Sequence, residues 1–259
     1  MRLDRFLSEQ TALSRKEAQA AARKGLVTVD GIAVRKADTA INPETQTIAV
    51  SGKTIAYAQY HYFLLHKPEG VITATEDLKQ KTVLDLLRPE DRLPKLAPCG
   101  RLDIDTTGLL LITDDGQLAH QMLSPKHHVP KYYLAKLRDP LAPNAPDAFE
   151  QGILLREGDK EEVCLPAQCA EIAPHLAVVG LQEGKYHQVK RMFASIGNHV
   201  EALMRFQIGN LPLPPDLAKN DYIVISNKEI SRMLTNSQFS SICAFCKENY
   251  SSYWINCEP

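Results

Sequence analysis

The sequence contains no uninterrupted apolar segment of the roughly 18 residues that a membrane-spanning helix needs. Its N-terminus also lacks the apolar stretch of a secretory signal. Cysteine is scarce, with six among 259 residues, which is too few to indicate a disulfide framework in a chain of this length. We therefore expect a cytoplasmic protein without membrane contact, in which Cys99, Cys164 and Cys169 are reduced core residues.

Acidic residues are missing from one long segment, although the chain as a whole is almost neutral, with a net charge of −1. Residues 116–138 contain no Asp or Glu but include four Lys or Arg and three His. Residues 1–40 carry eight basic and five acidic side chains. Such locally basic segments favour contact with a phosphate backbone, but ordinary solvated surfaces have the same composition. Charge alone leaves both interpretations open.

Residues 1–50 are predicted to form a small separate domain. Ser14 followed by Glu17 is the pattern of a capping box before an alanine-rich helix, and apolar residues at helical spacing precede it. Two short β-branched segments flank Asp30-Gly31, a strong hairpin signal. The order helix, helix, hairpin resembles the S4 type of RNA-binding domain. Under this resemblance six basic residues face RNA phosphates, unless some only solubilise the helix: Arg2, Arg5, Arg15, Lys16, Arg23 and Lys24.

Residues 60–234 are predicted to form a second, larger domain, joined to the first by a linker at residues 51–59. Apolar and β-branched segments bounded by Gly and Pro, including residues 71–75, indicate many strands. Strands and helices do not alternate regularly, which favours an α+β fold with a mixed, largely antiparallel sheet and flanking helices. Residues 235–259 are polar and rich in Ser and Asn, so we predict a disordered tail.

The densest group of polar residues is the segment GRLDIDTTG at residues 100–108, directly before an apolar run. It combines two carboxylates, an arginine and two hydroxyls, which is more polar chemistry than a turn beside a buried strand requires. Asp103 and Asp105 are two residues apart and would point to the same side of an extended backbone. Asp103 is therefore a candidate catalytic carboxylate. Asp105 is either a second acid or a turn residue that accepts bonds from nearby backbone.

Four motifs together resemble those of the pseudouridine synthases, and in particular the bacterial type that modifies one uridine of small-subunit ribosomal RNA. They are HKPEG at residues 66–70, GRLDIDTTG at 100–108, SPKHH at 124–128 with KYY at 131–133, and EGKYHQVKRM at 183–192. Each motif alone is weak, but their occurrence in family order identifies the chain as a member. The resemblance implies an S4-like domain followed by the α+β synthase domain, and isomerisation of uridine without a cofactor or a metal.

The resemblance also implies roles for individual residues. Asp103 would act on the ribose of the target nucleotide as a nucleophile or a base, with Lys190 as its cationic partner. Tyr133 would stack on the uracil after the base has left the RNA stack. Arg101 would fill the vacated gap or bind a phosphate. Four further residues would contact RNA: Lys67, Lys126, His127 and His128.

Three other functions remain open from the sequence. A paralogue acting on large-subunit ribosomal RNA would share the Gly-Arg-Leu-Asp core, although the rest of the motifs fits the small-subunit type better. A non-catalytic RNA-binding or ribosome-assembly module would be expected to lack Asp103 or Lys190. A glycosidase using Asp103 and Asp105 would need an aromatic sugar platform, which the sequence does not supply. We therefore expect a monomeric enzyme acting on small-subunit ribosomal RNA, either free or in a ribonucleoprotein assembly intermediate.

Overall fold

The computed structural model describes residues 1–124, 127, 129–157 and 160–254. The N-terminal part consists of two helices and a four-stranded sheet of order β2-β1-β3-β4. Its elements are α1 (Leu3–Gln10), α2 (Arg15–Arg23), β1 (Val27–Val29), β2 (Ile32–Ala33), β3 (Ile48–Val50) and β4 (Lys53–Ile55). The predicted helix, helix, hairpin order is confirmed.

Local sequence signals explain how these N-terminal elements begin and turn. The Ser14 hydroxyl accepts a hydrogen bond from the Glu17 backbone N–H, and the Glu17 carboxylate accepts one from the Ser14 N–H at 2.8 Å, so the capping box is formed. Asp30 and Gly31 both have positive φ, which a hairpin turn of this kind requires. Strand β4 lies within the predicted linker and pairs with β3, so the linker is shorter than the sequence indicates.

The second part contains a large sheet flanked by helices. Two short 3₁₀ helices, Val83–Leu86 and Pro89–Asp91, lie between its first and second strands. The predicted strand at residues 71–75 is not formed, and this segment makes only a single bridge between Ile72 and Thr82. The remaining elements are β5 (Tyr62–Lys67), β6 (Ala97–Pro98), β7 (Thr106–Thr113), α3 (Gly116–Leu123), β8 (Lys131–Leu137), α4 (Ala145–Gln151), β9 (Leu154–Glu157), β10 (Lys160–Val163), β11 (Gln168–Ala173), β12 (Leu176–Leu181), α5 (Gln188–Ser195), β13 (Val200–Ile208), β14 (Leu211–Pro212), β15 (Tyr222–Val224), α6 (Asn227–Met233) and α7 (Phe239–Tyr250).

The central sheet has the order β11-β12-β8-β13-β7-β5-β15, with β14 paired to β13 and β6 paired to β7. Only β7 and β13 run parallel among the paired strands that the structure describes; the other pairs are antiparallel. The prediction of a mixed, largely antiparallel sheet is therefore confirmed. Strand β7 is buried along its whole length, because helices or loops cover both faces of the sheet at its centre.

Alternate residues of β8 face two separate cores. Tyr132 and Leu134 belong to a core that also contains buried residues of α3, α6 and α7. Ala135 and Leu137 belong to a core on the opposite face, beneath α4 and α5. This alternation decides which side chains of β8 and its neighbour β13 are structural and which are free to line a site.

Strands β7 and β13 approach each other unusually closely at Gly108. This residue has φ +108°, and a Cβ atom placed there would lie 2.2 Å from the Arg205 carbonyl oxygen. Only glycine is compatible with both the conformation and the contact. The second glycine of the GRLDIDTTG motif is therefore required for the close pairing of β7 with β13.

The predicted disordered tail is wrong for the part that forms α7. Ile242, Cys246 and Tyr250 are buried against the core, and the Tyr250 hydroxyl donates a hydrogen bond to the Leu213 carbonyl oxygen. These three residues are spaced four apart, so they form an apolar stripe on an otherwise polar helix. This stripe packs on the sheet. The helix is therefore stabilised by burial of apolar surface, although the overall composition of the segment is polar. None of the helices in the described part of the chain is long and apolar enough to cross a membrane.

We expect Ile242→Ala to lower the free energy of unfolding by about 2–4 kcal/mol, because it removes a buried side chain and leaves a cavity. The measurement is urea denaturation followed by circular dichroism. Ser241→Ala is the matched control, since Ser241 is next to Ile242 in the chain and its side chain is exposed. Equal stability of both variants and the parent would show that α7 is not docked in solution.

Candidate active site

A cavity of about 840 Å³ lies where three of the sequence motifs meet. Its walls come from the turn at residues 97–104, from Lys131 and Tyr133 on β8, and from the loop at residues 184–189 that leads into α5. Strand β13 contributes Leu203, Arg205 and Ile208, and more of the wall comes from residues 72–75 and the end of α3. The fold therefore brings together segments that are far apart along the chain.

Asp103 lies in the turn before β7, and backbone contacts hold this turn on both sides. The Asp103 carbonyl oxygen accepts a hydrogen bond from the Thr106 N–H at 3.1 Å. The Ile104 carbonyl oxygen accepts one from the Gly70 N–H at 2.8 Å. Thr73 bonds the Leu102 backbone through both its donor and its acceptor, at 2.7 and 3.2 Å. The position of the Asp103 backbone is thus determined by contacts that leave its side chain available.

The Asp103 carboxylate lines the cavity and is 30% exposed. Within the described part of the chain it accepts no side-chain hydrogen bond, and the His187 imidazole lies beside it, with Nε2 3.4 Å from Oδ1. His187 has a left-handed backbone conformation with φ 46°, which is uncommon for a residue other than glycine. A carboxylate without hydrogen bonds that faces a cavity is available to react with a bound ligand.

Lys190 forms an ion pair with Asp105 instead of the predicted pair with Asp103. Its Nζ lies 2.6 Å from both carboxylate oxygens of Asp105. Partial burial would raise the pKa of Asp105, but the hydrogen bonds and charge of Lys190 outweigh it and hold the pKa below its usual value. The predicted partnership is therefore wrong in this structure, because α5 directs Lys190 towards the exposed second carboxylate and the preceding His187 towards the first.

Lys67 is completely buried and cannot contact RNA as predicted. Its ammonium donates to the carbonyl oxygens of Pro68, Asp103 and Thr106 at 2.9–3.0 Å, and more weakly to that of Ile104 at 3.4 Å. Burial lowers its pKa to about 8, although nearby carboxylates oppose this shift. Lys67 therefore connects the end of β5 to the turn that carries Asp103.

The two tyrosines of the KYY motif point to opposite faces of the sheet. Tyr132 is buried in the core, with its ring 6.4 Å from that of Phe239 and stacked on it. Tyr133 is half-buried and lines the cavity together with Asp103. Arg101 is exposed at the edge of the same cavity. His127 is exposed outside the cavity wall, and Lys126 and His128 lie outside the described residues.

Four further cavity residues were not singled out as site residues from the sequence: Thr106, Lys131, His187 and Arg205. Arg205 could have been recognised from the sequence, because a charged residue among the apolar residues of a buried strand is unusual and indicates a functional role. Burial, together with a smaller effect of the nearby charge of Arg205, lowers the pKa of Lys131 to about 8. The back of the cavity is thus more cationic than the motifs alone indicate.

The six basic residues predicted to face phosphates in the N-terminal part fall into two groups. Arg2 pairs with Asp4, and Arg5 pairs with Glu9. The other four are exposed and form no ion pair with any residue that the structure describes: Arg15, Lys16, Arg23 and Lys24. Lys16 and Arg23 are seven residues apart on α2 and therefore share a face.

Comparison with known families gives matches to both parts of the chain. Residues 1–46 match the S4 domain, and residues 61–195 match the family described as RNA pseudouridylate synthase. The ribosomal small subunit pseudouridine synthase A of Escherichia coli is 42% identical over 237 residues, covering 90% of this chain and 100% of that protein. An uncharacterised RNA pseudouridine synthase of Bacillus subtilis is 40% identical, covering 89% of this chain and 97% of its own.

A solved structure gives the same result at the level of the fold. The crystal structure of a pseudouridylate synthase superposes with a TM-score of 0.63 and 38% sequence identity, covering 90% of this chain and 99% of that one. The S4 match agrees with the helix, helix, hairpin order of the N-terminal part, and the synthase match includes Asp103, Tyr133 and Lys190. With its two parts matched in this order, the chain belongs to the RNA pseudouridylate synthases.

Proposed function

We propose that this protein converts one uridine of small-subunit ribosomal RNA to pseudouridine, with Asp103 as the catalytic carboxylate. The observation that carries the proposal is the placement of the Asp103 carboxylate, which accepts no hydrogen bond from the described residues, in a cavity that the Tyr133 side chain also lines. The similarity to the Escherichia coli small-subunit enzyme over nearly the whole chain supports the choice of RNA.

The isomerisation breaks the bond between ribose C1′ and uracil N1 and forms a bond between C1′ and C5. The electron pair of the broken bond leaves with the ring, the C5 proton is lost after the new bond forms, and N1 gains a proton, so no oxidant or reductant is needed. Asp103 acts at the ribose, either by attack at C1′ or by removal of a sugar proton. Tyr133 holds the extruded base against its ring.

The test of the proposed function is pseudouridine mapping of both ribosomal RNAs after incubation with the purified protein. Naked transcripts and assembly particles are both used, so that either form of the substrate can react. One new pseudouridine in small-subunit RNA supports the proposal. A site found only in large-subunit RNA would replace the proposed substrate, and modification of neither RNA in any form would contradict the function.

The N-terminal part is proposed to bind RNA phosphates through the four basic residues of α2 and its C-terminal end that form no ion pair with any described residue. We expect the combined change of Arg15, Lys16, Arg23 and Lys24 to Gln to weaken RNA binding about 10-fold or more. The slope of log affinity against log salt should fall by about 0.7–0.9 for each phosphate that the variant no longer neutralises. Filter binding at several salt concentrations measures both quantities.

Arg5→Gln is the matched control for this charge removal, since the Arg5 guanidinium already pairs with Glu9. It should change affinity and the salt slope much less than removal of an unpaired cation. The catalytic rate on bound RNA should be unchanged in both variants. An unaltered salt slope after the fourfold change would rule out phosphate binding by α2.

A further inference from the structure

Two buried polar atoms in the described part of the chain lack a hydrogen-bond partner, and both belong to residues of the cavity wall. They are the Thr106 hydroxyl oxygen and the Nη2 nitrogen of Arg205. An unsatisfied buried donor is costly, and the guanidinium cannot avoid this cost by losing its proton. Such atoms in a ligand cavity indicate that a ligand supplies the missing partners.

The register of the sheet places these two residues side by side. Thr106 pairs with Leu203 and Gly108 pairs with Arg205 in the parallel contact of β7 with β13. Thr106 and Gly108 share a face, as do Leu203 and Arg205, because residues two apart point the same way in a strand. The two unsatisfied atoms therefore belong to neighbouring side chains.

The same register connects Arg205 to the predicted stacking residue. Arg205 is directly opposite Tyr133 in the antiparallel contact of β13 with β8, so both side chains stand on one face. Thr106 is also hydrogen-bonded through its N–H to the Asp103 carbonyl oxygen, at 3.1 Å. A base held against Tyr133 within reach of Asp103 is thus next to both unsatisfied atoms.

Arg205 is fixed in place and is only 3% exposed. Its Nε donates to the Leu109 carbonyl oxygen at 2.9 Å, which anchors one edge of the guanidinium on β7. Lys131 adds a second, half-buried amino group to this part of the cavity, with its Nζ 3.0 Å from the Val129 carbonyl oxygen. The burial of these groups favours a planar ring over a phosphate, since the RNA backbone remains at the rim when a base is extruded.

We propose that Thr106 and Arg205 recognise the uracil ring of the target nucleotide by donating hydrogen bonds to its carbonyl oxygens. The inference rests on the proposed function, because it assumes that the ligand of this cavity is a uridine. When the C1′–N1 bond breaks, its electron pair spreads over the ring and its two carbonyl oxygens. The fixed donors are stronger partners of this charged ring than of the neutral base, so they lower the barrier to bond cleavage. They also hold the detached ring while C5 turns towards C1′.

The first test compares Thr106→Val with Thr107→Val in single-turnover reactions at saturating enzyme. The RNA is whichever ribosomal RNA the wild-type enzyme modifies. Valine is close in shape to threonine, and the Thr107 hydroxyl has only a 3.5 Å contact with the Leu203 carbonyl oxygen. We expect Thr106→Val to slow the chemical step about 10-fold or more with unchanged RNA affinity, and Thr107→Val to have little effect. Thr106→Ser should recover most of the rate. Equal rates for the two valine variants would overturn the assignment of Thr106.

A second test separates recognition of the ring from a merely structural effect. The target uridine is replaced by 2-thiouridine or 4-thiouridine, since sulfur is a weak hydrogen-bond acceptor. We expect one of these substitutions to slow the wild-type enzyme more than it slows Thr106→Val or Arg205→Lys, because in the variants the donor is already absent or displaced. The intrinsic reactivity of the thio base cancels in this comparison. Independent, multiplicative losses for both thio bases would overturn the inference.

A third arm keeps the inference testable if the proposed function fails. Binding of uridine 5′-monophosphate is followed by saturation-transfer NMR with the wild-type protein and the two valine variants. Weaker binding by Thr106→Val alone supports the assignment without any turnover. No binding to the wild type, or the same binding to all three proteins, together with no modified RNA, would reject it along with the function.

Discussion

Asparagine in place of Asp103 is expected to lower the rate of pseudouridine formation by at least about 1,000-fold, because the amide can neither attack the ribose nor accept its proton. RNA affinity should change less than about 2-fold. The free energy of unfolding should stay within about 0.5 kcal/mol of the parent, since the carboxylate is partly exposed and makes no hydrogen bond in the described structure. Release of tritium from RNA labelled at uridine C5 measures the rate.

Asp105→Asn is the control that distinguishes the two carboxylates of the motif. The Asp105 side chain is more exposed than that of Asp103, does not line the cavity and pairs with Lys190. We expect the rate of pseudouridine formation by Asp105→Asn to fall less than about 10-fold. An active Asp103→Asn enzyme together with an inactive Asp105→Asn enzyme would reverse the assignment and make the pair with Lys190 the catalytic one.

Methionine in place of Lys67 is expected to lower kcat by about 100-fold without weakening RNA binding. The change removes the donor of several backbone carbonyls in the turn that carries Asp103, and small displacements of a reacting group cost this much. The free energy of unfolding should also fall, by about 2–3 kcal/mol, because buried carbonyl oxygens lose their partner. Single-turnover kinetics and urea denaturation provide the two measurements.

The alternative role of Lys67 as an RNA contact gives the opposite pattern. Removal of a phosphate-binding cation would weaken binding and reduce its salt dependence, with stability and the rate on bound RNA unchanged. Lys95→Met is a suitable control, since this lysine is exposed and its contact with Glu9 is long, at 3.9 Å. A Lys67→Met enzyme of normal stability and reduced affinity would contradict the positioning role.

Much of the fold could be predicted from local patterns. The capping box at Ser14 and the Asp30-Gly31 turn are signals that act within a few residues, and each has the structure expected of it. The β-branched segments are less certain signals, since residues 71–75 form only a single bridge instead of a strand. The tail was mispredicted because its composition was weighed without its spacing. Ile242, Cys246 and Tyr250 recur at helical intervals, but a stripe of three residues is short among many polar neighbours.

The interior of the candidate site could be predicted only in part. The motifs identified the segments that meet at the cavity, but not the direction in which long charged side chains extend from them. Lys67 follows an apolar strand and precedes a turn, and its sequence context is the same whether its ammonium enters solvent or bonds buried carbonyls. The pairing of Lys190 with Asp105 depends on where α5 begins, which is a tertiary property.

The parallel contact between β7 and β13 also has a consequence for the order of folding. It joins residues about a hundred positions apart, and β13 is inserted between β7 and β8, so the catalytic face is incomplete until β13 has been synthesised. Contacts in the N-terminal part are far more local, which favours its earlier and faster formation. During translation the part with the exposed basic helix therefore folds first, and the nascent chain acquires its S4 domain well before it acquires a site that could modify anything.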